Sequence, residues 1–152
     1  MVGLRPSIKS FTLVELIIVV IIVGILASLG ITQYAKMMEK TYMAEAKMIF
    51  GTLRNNAYQY YWEKGSMDGM VGADVGIGSG TGIPSSCTST NYFRYYIYAP
   101  AGNQVQLASI RCTSGGKPPQ ASCEYSPYVY VNPVNGDGQR LIYNPNGCNV
   151  SW

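Results

Sequence analysis

The sequence predicts an α+β protein in which one long N-terminal helix packs on a small antiparallel β-sheet. Three observations support this fold class. Residues 11–31 form an apolar run with a single charge, helical periodicity continues to about residue 63, and strand-like segments alternate with turns after residue 90. The aliphatic side chains of this 152-residue chain are therefore concentrated at its start, whereas 11 of its 13 tyrosines lie at or beyond position 58.

The apolar run is long enough to cross a membrane. Fifteen of its 21 residues are Phe, Leu, Ile or Val, and a helix of this length spans roughly 30 Å. Glu15 is the only charged residue between Lys9 and Lys36. A carboxylate in such a segment costs about 2.5–3.5 kcal/mol to insert, which the apolar residues outweigh. We therefore expect the segment to insert and Glu15 to have a functional partner.

The helical pattern continues beyond the segment of membrane length. Apolar positions recur in steps of three and four residues and mark one face of an amphipathic helix; they are Ile31, Ala35, Met38, Tyr42, Ala46, Ile49, Leu53, Ala57 and Tyr60. No proline interrupts residues 7–83, and Gly65 follows as a stop signal. These features predict one helix from about residue 11 to about residue 63. Met43 and Phe50 lie beside the face, and we expect them to widen it; contact with neighbouring subunits is the alternative.

The C-terminal half predicts the sheet. Glycine and serine recur through residues 65–91, which we interpret as an irregular connection. Strands are predicted at the β-branched and tyrosine-rich segments 92–98, 105–111, 128–131 and 139–143, with turns at 99–103 and 135–138. Such a sheet must bury its apolar face, and we expect the apolar face of the amphipathic half of the helix to pack against it.

Four cysteines, Cys87, Cys112, Cys123 and Cys148, follow the membrane-length segment. The absence of histidine and of a Cys-x-x-Cys pair argues against a zinc site. Their even number predicts two disulfides in an oxidising compartment, with three possible connectivities. The predicted hairpin places Cys87 and Cys112 just past its open end, which favours the pairs Cys87–Cys112 and Cys123–Cys148. Four free thiols in a reducing cytosol are the alternative.

Charge and side-chain chemistry narrow the function classes. The net charge is +3, and Arg5 and Lys9 supply two of these charges before the apolar run, as expected for a cytoplasmic flank. The rest of the chain is close to neutral, which argues against nucleic-acid binding, and no catalytic set is visible. We expect no enzyme activity and no cofactor; calcium at Asn135 and Asp137 is a minor alternative, because one carboxylate makes a poor calcium site.

The segment Ser10-Phe11-Thr12-Leu13-Val14-Glu15-Leu16, with Gly24 further along the run, resembles the N-terminus of type IV pilins and type II secretion pseudopilins. The resemblance implies that residues 1–10 are a leader. A prepilin peptidase would cut between Ser10 and Phe11 and methylate the new amino group of Phe11. Phe11, Glu15 and Gly24 would then serve subunit assembly, with the Phe11 amine of one subunit meeting Glu15 of another.

Two positions depart from the family pattern. Ser10 stands where the family usually has Gly, which bears on the rate of processing. Thr32 stands where the family often has Pro, so any local melting of the helix during assembly would centre on Gly24 and Gly30, or be reduced.

The resemblance implies three regions: the leader 1–10, the transmembrane and polymerisation half of the helix 11–35, and a periplasmic or extracellular pilin domain 36–152. It implies a structural subunit of a pilus or pseudopilus, held in the inner membrane by one span before assembly. Its partners would be other pilin subunits, the prepilin peptidase, the inner-membrane assembly platform with its ATPase, and membrane lipid. A minor or tip pilin that binds DNA or a surface is the alternative function.

Overall fold

A computed structural model describes residues 11–78, 80, 82–138, 140–144, 147 and 148, and only the backbone of residue 32. One α-helix, α1, runs from Leu13 to Lys64, and four strands follow: β1 (Phe93–Ala101), β2 (Gln104–Arg111), β3 (Ser126–Val131) and β4 (Arg140–Tyr143). The predicted α+β fold class is confirmed. A boundary between two compact units falls after Met37, inside α1.

The helix ends where the sequence placed a stop signal. Gly65 adopts a positive φ of 74°, a conformation that costs glycine little, and its N–H donates to the carbonyl oxygen of Tyr61 at 2.7 Å. No proline interrupts the 52 residues of α1. The predicted helix of about residues 11–63 is thus confirmed to within two residues at each end.

The face of α1 within residues 38–64 forms one wall of the hydrophobic core. Six of its side chains are buried: Tyr42, Met43, Ala46, Phe50, Leu53 and Ala57. Met43 and Phe50 are among them, which confirms that they widen the intramolecular face. Burying a large apolar side chain contributes about 1.5–3 kcal/mol, so this face accounts for much of the attachment between helix and sheet.

The four strands form one antiparallel sheet in the order β1-β2-β3-β4. Its inner face packs on α1; the ring of Tyr95 in β1, for example, meets Phe50 edge-on with ring centroids 5.9 Å apart. The inward side chains of β2 and β3 complete the core, with Val105, Leu107 and Val131 fully buried. Alternation along these strands therefore separates an apolar inner face from an outer face, as the sequence pattern predicts.

The first turn differs from the prediction. β1 does not end at residue 98 but continues to Ala101, with an irregular register between Tyr98 and Ala101 and a positive φ of 45° at Ala99. The chain reverses direction at Gly102, near the end of the predicted turn, immediately after β1. The Gly102 N–H donates to the Asp68 carboxylate at 2.8 Å. A contact with a residue 34 positions earlier therefore fixes the turn, and local turn propensity could not reveal it.

The connection 65–91 contributes more to the core than its composition suggested. It contains a short 3-10 helix, Gly72–Val75, and buries five apolar side chains, namely Met67, Met70, Val75, Ile77 and Ile83. Asn56 on α1 holds the segment by donating from its amide to the carbonyl oxygen of Val75 at 2.8 Å. The segment is irregular, as expected, but it packs as a second layer over part of the helix.

Arg111 is a fully buried arginine that joins α1, the sheet and the loop after β2. Its Nε and one terminal nitrogen donate to the two carboxylate oxygens of Glu39, each at 3.1 Å. Its other contacts are the carbonyl oxygens of Tyr92, Cys112 and Pro119 at 2.9–3.2 Å. All the guanidinium nitrogens thus have acceptors, which a buried cation requires.

Disulfides join Cys87 to Cys112 and Cys123 to Cys148. The first connects the end of the 65–91 segment to the residue that follows β2. The second connects the segment before β3 to the segment after β4. Each closes a sequence separation of 25 residues, so both restrict the chain around the sheet.

Candidate functional site

The N-terminal turn of α1 holds the residue that the sequence marked as functional. Thr12 immediately precedes the helix, and Glu15 lies in its first turn. One carboxylate oxygen of Glu15 accepts hydrogen bonds from the backbone N–H of Thr12 at 2.9 Å and from its hydroxyl at 2.8 Å. The Thr12 hydroxyl oxygen in turn accepts from the N–H of Glu15 at 3.3 Å.

This reciprocal arrangement is a capping box. It satisfies backbone N–H groups that the first turn of a helix leaves without partners, and it gives the carboxylate two donors from its own chain. Within one molecule, the hydrogen-bond partner of Glu15 is therefore Thr12. Sequence reasoning did not single out Thr12, although the signal was present, since Thr-x-x-Glu before an apolar run is the sequence signature of this motif.

The apolar part of α1 is exposed rather than packed in a core. The helix contains an 18-residue window of mean hydropathy 2.9, and no part of that window is buried within the structure. Ile17 is the least exposed large apolar residue between Phe11 and Ile31, and it is still 45% exposed. A run of this length that no other described residue covers has the composition and surface of a membrane-spanning helix.

Polar and small positions in the run are compatible with a lipid environment. The Ser28 hydroxyl donates to the carbonyl oxygen of Ile25 at 2.8 Å, so its proton is satisfied within the helix. Beyond its chain neighbours and the adjacent backbone of its own helix, a Cβ added at Gly24 would meet no atom within 4 Å. The chain itself therefore imposes no steric need for glycine at this position.

Of the two predicted processing residues, Ser10 and Phe11, the structure describes Phe11. Phe11 precedes the helix and lies outside regular secondary structure, and it is 77% exposed. Ser10 and the rest of the predicted leader, residues 1–10, lie outside the described residues.

The predicted calcium residues lie in the turn between β3 and β4. The Asp137 carboxylate forms an ion pair with Arg54 and accepts a hydrogen bond from the Tyr58 hydroxyl at 2.6 Å. Asn135 donates its backbone N–H to the side-chain oxygen of Asn132. Asp137 thus ties the turn to α1, and within the described residues no cluster of three or more His, Cys, Asp or Glu side chains is suited to hold a metal.

Comparisons with known proteins agree with the N-terminal geometry. A family profile described as the prokaryotic N-terminal methylation motif matches residues 5–31. The chain therefore carries a prokaryotic N-terminal methylation motif, the feature in which it resembles type IV pilins. The profile spans the predicted processing site, the capping box and the apolar half of α1, so the resemblance stated from the sequence is confirmed.

A curated relative supports the same pilin-type assignment. The fimbrial protein EcpC of Eikenella corrodens is 39% identical over 57 residues, a match that covers 38% of this chain and 37% of that protein. The chain thus matches little more than a third of the relative's length. No solved structure shows significant similarity to the chain. Of the two matches, the methylation motif is the one located within the chain, at residues 5–31.

Proposed function

We propose that this chain is a structural subunit of a helical filament assembled from the inner membrane, either a type IV pilus or a type II secretion pseudopilus. The observation that carries the proposal is the methylation motif at residues 5–31, which heads an exposed apolar helix with a single carboxylate. A protein that stores its polymerisation segment in lipid needs this combination. It needs no catalytic residues.

Processing would prepare the subunit. A prepilin peptidase cuts between Ser10 and Phe11 and methylates the Phe11 amine. The cut removes Arg5 and Lys9, the cationic residues on the cytoplasmic flank, and leaves one positive charge at the head of an apolar helix. That amine is then close in sequence to Thr12 and Glu15.

Assembly would exchange one partner of Glu15 for another. In the single chain, the Thr12 N–H and hydroxyl satisfy the Glu15 carboxylate, which reduces the cost of holding it at the membrane. In the filament, the Phe11 amine of a neighbouring subunit supplies a charged donor, and a charge-assisted hydrogen bond is about twice as strong as a neutral one. Gly24, with open space around it in the single chain, would allow a neighbouring helix to approach closely.

The remaining partners of the subunit would be membrane lipid, neighbouring subunits and the assembly platform. The exposed apolar half of α1 anchors the subunit as a single inner-membrane span, with the sheet domain in the periplasm. Lipid and the apolar surfaces of neighbouring helices are similar solvents, so transfer into the filament is nearly balanced in free energy. An assembly platform with an ATPase drives it, and the sheet domain leaves the membrane in the pilus or pseudopilus.

The test is to shear filaments from cells that express the chain and to analyse their subunits by mass spectrometry. We expect a mature chain that begins with N-methylated Phe11 and contributes most of the filament mass. Trace amounts within a filament of another subunit would support the minor or tip pilin role instead. Detection of the chain only in membranes, with Met1 retained, would contradict the proposal.

A further inference from the structure

The outer face of the sheet, opposite the core, carries a group of tyrosines in register. Tyr96 in β1 pairs with Ala108 in β2, and Ala108 pairs with Tyr128 in β3. Paired residues of antiparallel strands project to the same face, and adjacent strands lie about 4.8 Å apart. The two tyrosines therefore stand about 9.6 Å apart at the backbone, with only the small side chain of Ala108 between them.

A cavity of about 520 Å³ occupies this part of the outer face. Its described lining consists of Tyr96, Tyr98, Gln106, Ile110, Glu124, Ser126, Tyr128 and Tyr143. The volume lies within the range of small-ligand sites, and aromatic walls with a few polar groups are typical of them. Among those described residues, Glu124 is the one that carries a charge.

We propose that this cavity binds an organic cation of the quaternary ammonium class. Four of the eight described lining residues are tyrosines, and aromatic rings attract cations that lie within roughly 6 Å of the ring centroid. The Glu124 carboxylate supplies the opposite charge at one end of the cavity. Charge complementarity therefore selects a cation over a neutral or anionic ligand.

The hydrogen-bonding groups of the cavity favour a quaternary over a primary ammonium. The Ser126 hydroxyl donates its proton to the carbonyl oxygen of Ser109 at 2.6 Å, which commits it to the sheet. Glu124 is then the one charged acceptor in the described lining, whereas a primary ammonium has three protons to satisfy. A quaternary ammonium has none, and the tyrosine-rich wall of the cavity offers it aromatic contact instead.

Arg94 provides an independent check on the electrostatics. It is paired in register with Ile110 and lines an adjoining cavity of about 250 Å³ that also includes Glu124. Its positive charge opposes a cation bound beside Glu124 and competes for the same carboxylate. Removing this charge should therefore strengthen binding of a cation, the opposite of the effect expected for a structural residue.

The experiment titrates choline into the full-length chain in maltoside micelles, which contain no choline, and follows binding by calorimetry. We expect choline to bind at least about tenfold more tightly than its neutral carbon isostere. Glu124→Gln should weaken choline binding about tenfold and Arg94→Gln should strengthen it, because both alter the local charge. Glu63→Gln, a carboxylate on α1 outside the cavity, serves as the matched control and should leave the affinity unchanged.

Tyr128→Leu tests the aromatic wall, with the melting temperature recorded to verify folding. A folded Tyr128→Leu chain should lose choline affinity by about tenfold. Glycerophosphocholine tests whether the natural ligand is a lipid headgroup or free choline. A site open to headgroups binds both glycerophosphocholine and choline, whereas a site for free choline binds choline alone. The proposal would be overturned if choline does not bind, or if its neutral isostere binds equally well. It would also be overturned if N-acetyl-lysine amide binds more tightly than choline, or if Glu124→Gln leaves the choline affinity unchanged.

Discussion

Glu39 and Arg111 lie 72 positions apart in the chain and form a bidentate ion pair, with both N–O distances at 3.1 Å. The arginine side chain is fully buried, whereas the glutamate side chain keeps 25% of its surface exposed. The Arg111 guanidinium also lies 5.1 Å from the ring centroid of Tyr42 and 5.2 Å from that of Tyr92. One cation therefore connects the helix to the sheet and needs its anion in place.

The first prediction concerns this pair. Glu39→Gln would leave a buried positive charge without its counter-charge, and removing one partner of a buried pair costs roughly 3–5 kcal/mol. We expect the lower end of that range, because solvent partly screens Glu39. Denaturant unfolding of the full chain in detergent measures the loss, and Glu63→Gln is the control on the same helix. Equal stability of the two variants would show that the pair does not hold the domain together.

The second prediction concerns alkaline pH. Burial, reinforced by the adjacent negative charge and hydrogen bond of Glu39, raises the pKa of Tyr125 above its ordinary value of 10.0. The unfolded chain therefore loses this proton at lower pH than the folded chain does. The contribution of Tyr125 to stability should be constant below about pH 10 and fall above it by about 1.4 kcal/mol per pH unit, as for each such tyrosine.

Tyr125→Phe tests this assignment, because it removes one titrating group and should reduce the alkaline slope by one proton. Burial also raises the pKa of Tyr95, so part of the slope should remain. Unfolding curves recorded between roughly pH 8 and 12, on both sides of the ordinary tyrosine pKa, provide the measurement. An identical slope in Tyr125→Phe and the parent chain would exclude Tyr125 as a source.

The third prediction separates the two partners of Glu15. Glu15→Ala should insert into the membrane normally but fail to enter filaments, because the neighbouring amine loses its anion. Thr12→Val keeps the carboxylate and removes the hydroxyl of the capping box, which should destabilise the helix start by about 1 kcal/mol. Filament yield and hydrogen exchange of the first turn measure the two effects. Normal filament yield from Glu15→Ala would contradict the pairing between subunits.

The fourth prediction concerns Gly24. Because a Cβ added there meets no neighbouring atom, Gly24→Ala should leave the single chain folded and inserted, and its helix slightly more stable. If helices approach closely at this position in the filament, the same substitution should lower filament yield. Gly51→Ala is the control, since Gly51 lies on the same helix with equally open surroundings. Full yield from Gly24→Ala would show that close packing at Gly24 is not required.

The fifth prediction concerns the cysteines. Peptide mapping under non-reducing conditions should recover Cys87 linked to Cys112 and Cys123 linked to Cys148. Loss of either link should destabilise the domain by about 3 kcal/mol, the entropic value for loops of this size. Four thiols that react with an alkylating reagent in the exported chain would contradict both the pairing and the oxidising compartment.

The sequence by itself determined the features that depend on short-range physics. Apolar periodicity and the glycine after Lys64 defined α1 within two residues, and alternation located the four strands. The Thr12–Glu15 capping box was also readable, since its two residues are three positions apart. The prediction that Glu15 is functional followed from one charge in a membrane-length apolar run.

Only the tertiary structure decided the contacts between distant segments. No local pattern shows that Glu39 meets Arg111, that Asp68 anchors Gly102, or that Asp137 pairs with Arg54. Such pairs depend on how helix and sheet pack, and packing satisfies a buried charge with whichever opposite charge it brings close. The burial of Met67 and Ile77 in a glycine-rich connection has the same cause, because the helix and sheet left an apolar surface that a nearby segment had to cover.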